Sequence, residues 1–448
     1  MKKFILRLFT LHFALFFSTN LTFANINQTI SNAKLEKNSV ASISVRDVQT
    51  SKELYARNQH KYVHPASSLK IFTFAAALNE LGEDYTFDTK VYADNSGNLY
   101  IKLGADPLLC TEDLRALIKQ VKSSFDTSKI KNIYIDDTII DKIPYPQGWM
   151  WDDFWPNIPK LSPYTLNQNT TKLTLRLARE GQSAQVIQND PYKISIINEV
   201  TKGSARNIAL HKDYDENSDI ITIKGTVSGD STVFVPVSNP KFYFIANVDD
   251  ILAREKISYK KPYAIAKVPK NAREVAKVSR SIQEVGAYAL KNSDNFSSEI
   301  IFKVAGGKFK GKCEGGSTQD ALDMFFNYYS KLGADVDGVK ISDASGVSRY
   351  NLFTTSWMSD ALLFLNSTNV KNYMAQAGEG TLDRRLVHLK GRLWAKTGTL
   401  SGVSSLAGYV KNSKDKELVF AVVISNFNKK PSVIKSFEDD LVDDIFKF

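Results

Sequence analysis

Three short strings carry side chains suited to acyl transfer: Ser67-Ser68-Leu69-Lys70, Ser293-Asp294-Asn295 and Lys396-Thr397-Gly398. On a helix, positions i and i+3 share a face, so a Ser67 hydroxyl and a Lys70 amine come within reach of each other, as a nucleophile and its base require. A lysine accepts protons near neutrality only if its ordinary pKa of ~10.4 falls by roughly three units, about 4 kcal/mol of differential stabilisation. Burial and a neighbouring cation supply such a shift, and Lys396 is the cation expected. Ser293 can relay a proton toward a leaving nitrogen, and Asn295 can hold an acyl amide through paired donor and acceptor contacts. Gly398 lets a strand backbone approach the substrate, while Thr397 and Thr399 offer hydroxyls to a terminal carboxylate. Backbone N–H groups of Ser67 and Thr399 suit an oxyanion hole, worth about 2.7–4 kcal/mol per donor.

Each string has a plainer reading. Ser-x-x-Lys recurs, at Ser31 and Ser128 among other places, and a serine at a helix start is ordinarily a cap. Lys70 can be a solvated side chain, and Ser293 to Asn295 can simply stop a helix. Lys-Thr-Gly occurs once in the chain, and the force of the three lies in their order and setting. His64, three residues before Ser67, is a rival base, but its place beside Pro65 reads better as shaping the loop into the helix.

The flanking patterns say what positions these groups. Val40 to Arg46 and Lys52 to Ala56 read as a strand hairpin around Gln49-Thr50-Ser51. Pro65 then precedes a helix start, and Ile71 to Leu81 is apolar on nearly all sides, which marks a buried helix. From Glu83 to about Tyr263 the chain is β-rich, with Gly, Asn, Asp and Pro between short runs. Helical periodicity returns from Ala272 and stops near Ser293. Arg392 to Lys396, Ser404 to Val410 and Leu418 to Ser425 read as three adjacent antiparallel strands, and Ile434 to Phe446 as a helix with Ile434, Phe437, Leu441 and Ile445 on one face.

The first 24 residues read as a signal peptide: Lys2, Lys3 and Arg7 attend an apolar run from Phe4 to Phe17, and Thr22-Phe23-Ala24 supplies a cleavage site. Removing those three basic residues lowers the formal charge from +10 to +7. Export makes nucleic acid an improbable partner, and the apolar run is too short and interrupted for a membrane span. Cys110 and Cys313 are the only cysteines, and a disulfide and two buried thiols both remain open. No histidine or cysteine spacing calls for a metal, and no cofactor motif is present.

Together these strings resemble the low-molecular-mass class C penicillin-binding proteins, the D-alanyl-D-alanine carboxypeptidase/endopeptidases. The resemblance extends through Gly104 to Pro107, Gly148 to Asp153, Asp343 to Asn351, Gly380-Thr381-Leu382 and Ala395 to Gly402. It implies an α+β fold: a β-lactamase/transpeptidase-like domain, an antiparallel sheet with helices on both faces, carrying a large mainly-β insertion. Residues 25–85 and 264–448 would form that domain, and 86–263 the insertion. Ser67 would attack the D-Ala carbonyl of peptidoglycan stem peptides in the periplasm, Lys70 would serve as acylation base, and β-lactams would acylate the same serine. The resemblance also assigns Asp153 and Arg349 to the diaminopimelate end of the stem. Two rivals are a serine β-lactamase and an inert cell-wall-binding protein; no acidic deacylation motif favours the first, and the intact strings weigh against the second.

Overall fold

The computed structural model describes residues 25–154, 156–177, 183–212, 218–312 and 314–448. The expected leader and Cys313 lie outside the described residues. Two compact units emerge: residues up to Ala76, Gly286–Asp294 and Phe325–Phe448 form one, and Ala77–Val285 with Asn295–Met324 form the other.

In the first unit six strands pair in the order Ala375–Gln376, Leu393–Leu400, Val403–Lys411, Glu417–Ser425, Val40–Asp47 and Glu53–Arg57. All the pairings are antiparallel, and Val40 faces Ser425 across most of the chain's length. The run Leu418 to Ile424 is wholly buried, as expected of an inner strand covered on both sides. Alternation sorts its neighbours. Ala41, Ile43 and Val45 share a core with Leu418, Phe420, Val422 and Ile424 and with Ile434, Phe437, Leu441 and Ile445 of the helix Pro431–Phe446. Ser42 and Ser44 point the other way and bond Thr355 and Ser359 of the helix Thr355–Leu365 at 2.8 Å each. Helices therefore cover both faces, as the resemblance implies.

The helix Leu69–Leu81 starts in this unit, preceded by a 3-10 turn at Ala66–Ser68. Phe72 sits against Trp357 with ring centroids 5.2 Å apart, and Tyr329 Oη donates to the Phe72 carbonyl at 3.0 Å. Full burial of Leu69, Ile71 and Phe72 fixes the helix start in the core, each such side chain being worth roughly 1.5–3 kcal/mol.

The second unit contains a five-stranded mixed sheet, ordered Lys260–Ile265, Asn132–Asp136, Leu99–Lys102, Thr86–Ala93 and Arg273–Ser281. Apolar side chains of the helices Thr111–Ser124 and Pro240–Arg254 share its core. Two three-stranded sheets share another core through Leu173, Leu175, Ile221, Ile223, Val233 and Val235. Where helical periodicity was expected from Ala272, Arg273–Ser281 is a strand that pairs antiparallel with Thr86–Ala93, and the helix begins only at Ile282. Among the described residues no helix is long and apolar enough to cross a membrane.

Candidate active site

Ser67 occupies a short 3-10 turn rather than the α-helix itself. Ala66 adopts a left-handed φ of 46°, and the tight turn runs into the helix at Leu69. Two partners brace it: Ser405 Oγ donates to the Pro65 carbonyl at 2.7 Å and meets Ser68 Oγ at 3.2 Å. Lys70, one helical turn on, places Nζ 2.9 Å from Ser67 Oγ. The same amine donates to the Ser345 carbonyl at 2.7 Å, and Ser67 Oγ lies 3.4 Å from that oxygen. Lys70 is only 1% exposed, so its contacts are made away from bulk water.

The Ser345 carbonyl is held by the loop Asp343 to Asn351, in which the resemblance assigned a role only to Arg349. Buried Asp343 accepts from the backbone N–H of Gly346 at 3.0 Å and of Ser348 at 2.7 Å, and from Asn351 Nδ2 at 2.7 Å. Thr73, on the helix Leu69–Leu81, donates to the Ala344 carbonyl at 2.9 Å. Gly346 has φ 80°, and a Cβ there would fall on the Ala66 carbonyl. The loop thus packs directly against the turn that carries Ser67. His64 Nδ1 lies 3.0 Å from the Asn351 carbonyl, and burial holds the imidazole below its usual pKa. That places His64 in the entry loop.

The other two strings meet at Lys396. Its amine donates to Ser293 Oγ at 2.7 Å and to the Thr397 carbonyl at 2.8 Å. Ser293 takes a left-handed φ of 59° after the helix Ile282–Lys291, which turns its hydroxyl region out of the helix end. Lys291 pairs with Glu379 at 3.0 Å, and Gly380, φ 50°, packs on the Lys291 backbone. Thr397 Oγ1 donates to Thr381 Oγ1 at 2.8 Å, so Glu379, Gly380 and Thr381 support the Ser293 and Lys396 strings together. Thr381 was quoted only for the resemblance, and Glu379 gave no signal, because its role depends on a contact 88 residues away.

Lys396 is fully buried, and its pKa is held well below the lysine range, first by burial and then by the nearby Lys70 ammonium. Two buried amines in one site disfavour a second positive charge, the setting in which one of them can accept a proton. Gly398 completes the enclosure: a Cβ there would lie 2.7 Å from the Ser67 backbone nitrogen and 2.9 Å from Ala66 Cβ. Thr399 follows it, exposed on the same strand opposite Ser404.

Three further expected residues lie on other elements. Asn295 opens the helix Asn295–Phe309, and Asp153 lies in the short helix Trp151–Phe154, both in the second unit. Arg349 Nη1 donates to the Ser401 carbonyl at 3.4 Å, beside the turn that joins two sheet strands. Cys110 precedes the helix Thr111–Ser124 as a partly exposed thiol.

A serine hydroxyl beside a buried amine, with a second buried amine and a relay serine on adjoining elements, defines a serine-type acyl-transferring hydrolase on a β-lactamase/transpeptidase-like fold. The chain belongs to the D-Ala-D-Ala carboxypeptidase 3 (S13) family, whose profile matches residues 22–443, and is a serine-type peptidase. A D-alanyl-D-alanine carboxypeptidase from Actinomadura sp. (strain R39) is 29% identical over 86% of this chain and 77% of its own length. The D-alanyl-D-alanine carboxypeptidase DacB of Haemophilus influenzae is 23% identical, covering 95% of each chain. The crystal structure of penicillin binding protein 4 (dacB) from Haemophilus influenzae superposes with a TM-score of 0.79 at 20% identity, over 95% of this chain and 99% of that one.

Proposed function

We propose that this protein hydrolyses peptidoglycan in the periplasm at the D-Ala carbonyl, both as a D-alanyl-D-alanine carboxypeptidase on stem peptides and as an endopeptidase on cross-links, with Ser67 as nucleophile. The observation that carries this reading is the 2.9 Å approach of Lys70 Nζ to Ser67 Oγ in a site where a second buried lysine is held well below its usual pKa.

Lys70, uncharged, takes the Ser67 proton as Oγ forms an ester bond to the D-Ala carbonyl carbon. The amide C–N bond then breaks as the proton taken by Lys70 reaches the leaving amine through the hydroxyl of Ser293, which is hydrogen-bonded to Lys396. Water attacks the ester and gives a proton to Lys70, the C–Oγ bond breaks, and Lys70 returns that proton to Ser67. The close approach of Gly398 to the Ser67 nitrogen supports an oxyanion hole built from the backbone N–H groups of Ser67 and Thr399. Thr397 and Thr399 receive the terminal carboxylate, and Asn295 holds the acyl group's amide. Asp153 and Arg349 take the diaminopimelate end of the stem, and residues 1–24 direct export. β-Lactams acylate Ser67 by the same first step.

Digestion of purified muropeptides separates the two activities. Monomers with a terminal D-Ala-D-Ala are expected to release free D-Ala, and cross-linked dimers to split. Release of D-Ala without splitting of dimers would remove the endopeptidase half of the proposal, and failure of both would overturn it.

A further inference from the structure

At one end of the five-stranded sheet, a cleft of ≈ 660 Å³ is lined by Lys131, Lys256 and Lys260 together with Ser128, Asn132 and Ser258. Its basic character follows from the fold. The parallel strands Asn132–Asp136 and Lys260–Ile265 begin side by side, Lys260 opposite Asn132 and its N–H donating to the Lys131 carbonyl at 2.8 Å. Lys131 and Lys260 are therefore carried to the same end of the sheet. Lys256 joins them from the turn after the helix Pro240–Arg254, in the left-handed conformation (φ 59°) that reverses a chain leaving a helix.

All three lysines are exposed, and among the described residues none is paired with a carboxylate. The acids nearby are engaged elsewhere. Asp126 takes Lys129 and Ser128, Glu255 takes Lys122, and Asp249 accepts from Tyr259 and Tyr263. No acid is found among the described residues that line the cleft. A space of this size exceeds a single ion and fits a segment of chain. Three point charges flanked by hydroxyl and amide groups suit an oligocarboxylate.

We propose that this cleft is a second, non-catalytic site that holds carboxylate-bearing stem peptides of the peptidoglycan polymer. The proposal rests on the reading that peptidoglycan is the substrate. A polymer gripped here raises the local concentration of its own cleavable ends, so the cleft acts on insoluble wall and leaves small peptides unaffected.

The test compares the full-length protein with the triple variant Lys131→Gln/Lys256→Gln/Lys260→Gln. A control of equal net charge, Lys390→Gln/Lys416→Gln/Lys430→Gln, removes exposed lysines from the first unit. Binding to purified sacculi stripped of phosphodiester polymers is measured by co-sedimentation at low salt, alongside turnover of a soluble D-Ala-D-Ala peptide. The cleft variant is expected to bind about tenfold more weakly, with the control within about twofold of the unaltered protein and soluble turnover unchanged in both. Unchanged sacculus binding by the cleft variant would overturn the proposal, as would equal losses in the two variants or retention of unstripped sacculi alone. Absence of soluble turnover by the unaltered protein would count against the enzymatic reading, while sedimentation would still decide the cleft.

Discussion

At the residue scale, two lysines do different work through the same property. Lys70 touches Ser67, the proposed nucleophile, and Lys396 touches Ser293, the proposed relay, and burial makes a full complement of charge on both amines unfavourable. The expected consequence is a pH profile. Because two buried amines this close disfavour a second charge, neutral amine should form below the ordinary lysine range, so the rate of acylation by benzylpenicillin should rise with pH and level off below pH ~10. Lys70→Met should lower that rate by about 10²–10⁴-fold at neutral pH while the protein stays folded. Stopped-flow acylation across pH reads both; a rate that climbs with hydroxide past pH ~10 would show that the amines stay protonated.

At the element scale, the site depends on one turn being clamped between a loop and a strand. Gly346 lies against the Ala66 carbonyl and Gly398 against the Ser67 nitrogen, so both backbones come closer than any side chain permits. Gly346→Ala combines a left-handed backbone, costing ~1–2 kcal/mol, with a displacement of the Ser345 carbonyl. Denaturant unfolding should register that loss, and acylation should slow with it. Full acylation in a variant of unchanged stability would show that the loop does not position the lysine. Ser67, Lys70, Ser293 and Lys396 were legible as candidates because their residue types and spacings are local, and the structure brings Ser67 to Lys70 and Ser293 to Lys396. The sequence did not announce Ser345: a carbonyl acceptor has no residue-type signature, and only the Asp343 bonds to Gly346, Ser348 and Asn351 make this one rigid.

Across the whole molecule, the same boundary between local and distant information recurs. The last three strands of the catalytic sheet could be read from apolar runs separated by short turns, and they pair as expected. The pairing of Val40–Asp47 with Glu417–Ser425 joins the two ends of the described chain, and no periodicity within either strand encodes its partner. The parallel pairings Leu99–Lys102 with Asn132–Asp136, and Asn132–Asp136 with Lys260–Ile265, were hidden for the same reason, although the β-rich texture around them was plain. Everything functional converges on a single covalent event in the folded chain. The most direct measurement is the intact mass after exposure to benzylpenicillin, followed by mapping of the modified peptide. The account predicts one adduct, carried on Ser67, and a Ser67→Ala protein that melts at the same temperature yet gains no mass. An adduct on another residue, or undiminished labelling of Ser67→Ala, would contradict it.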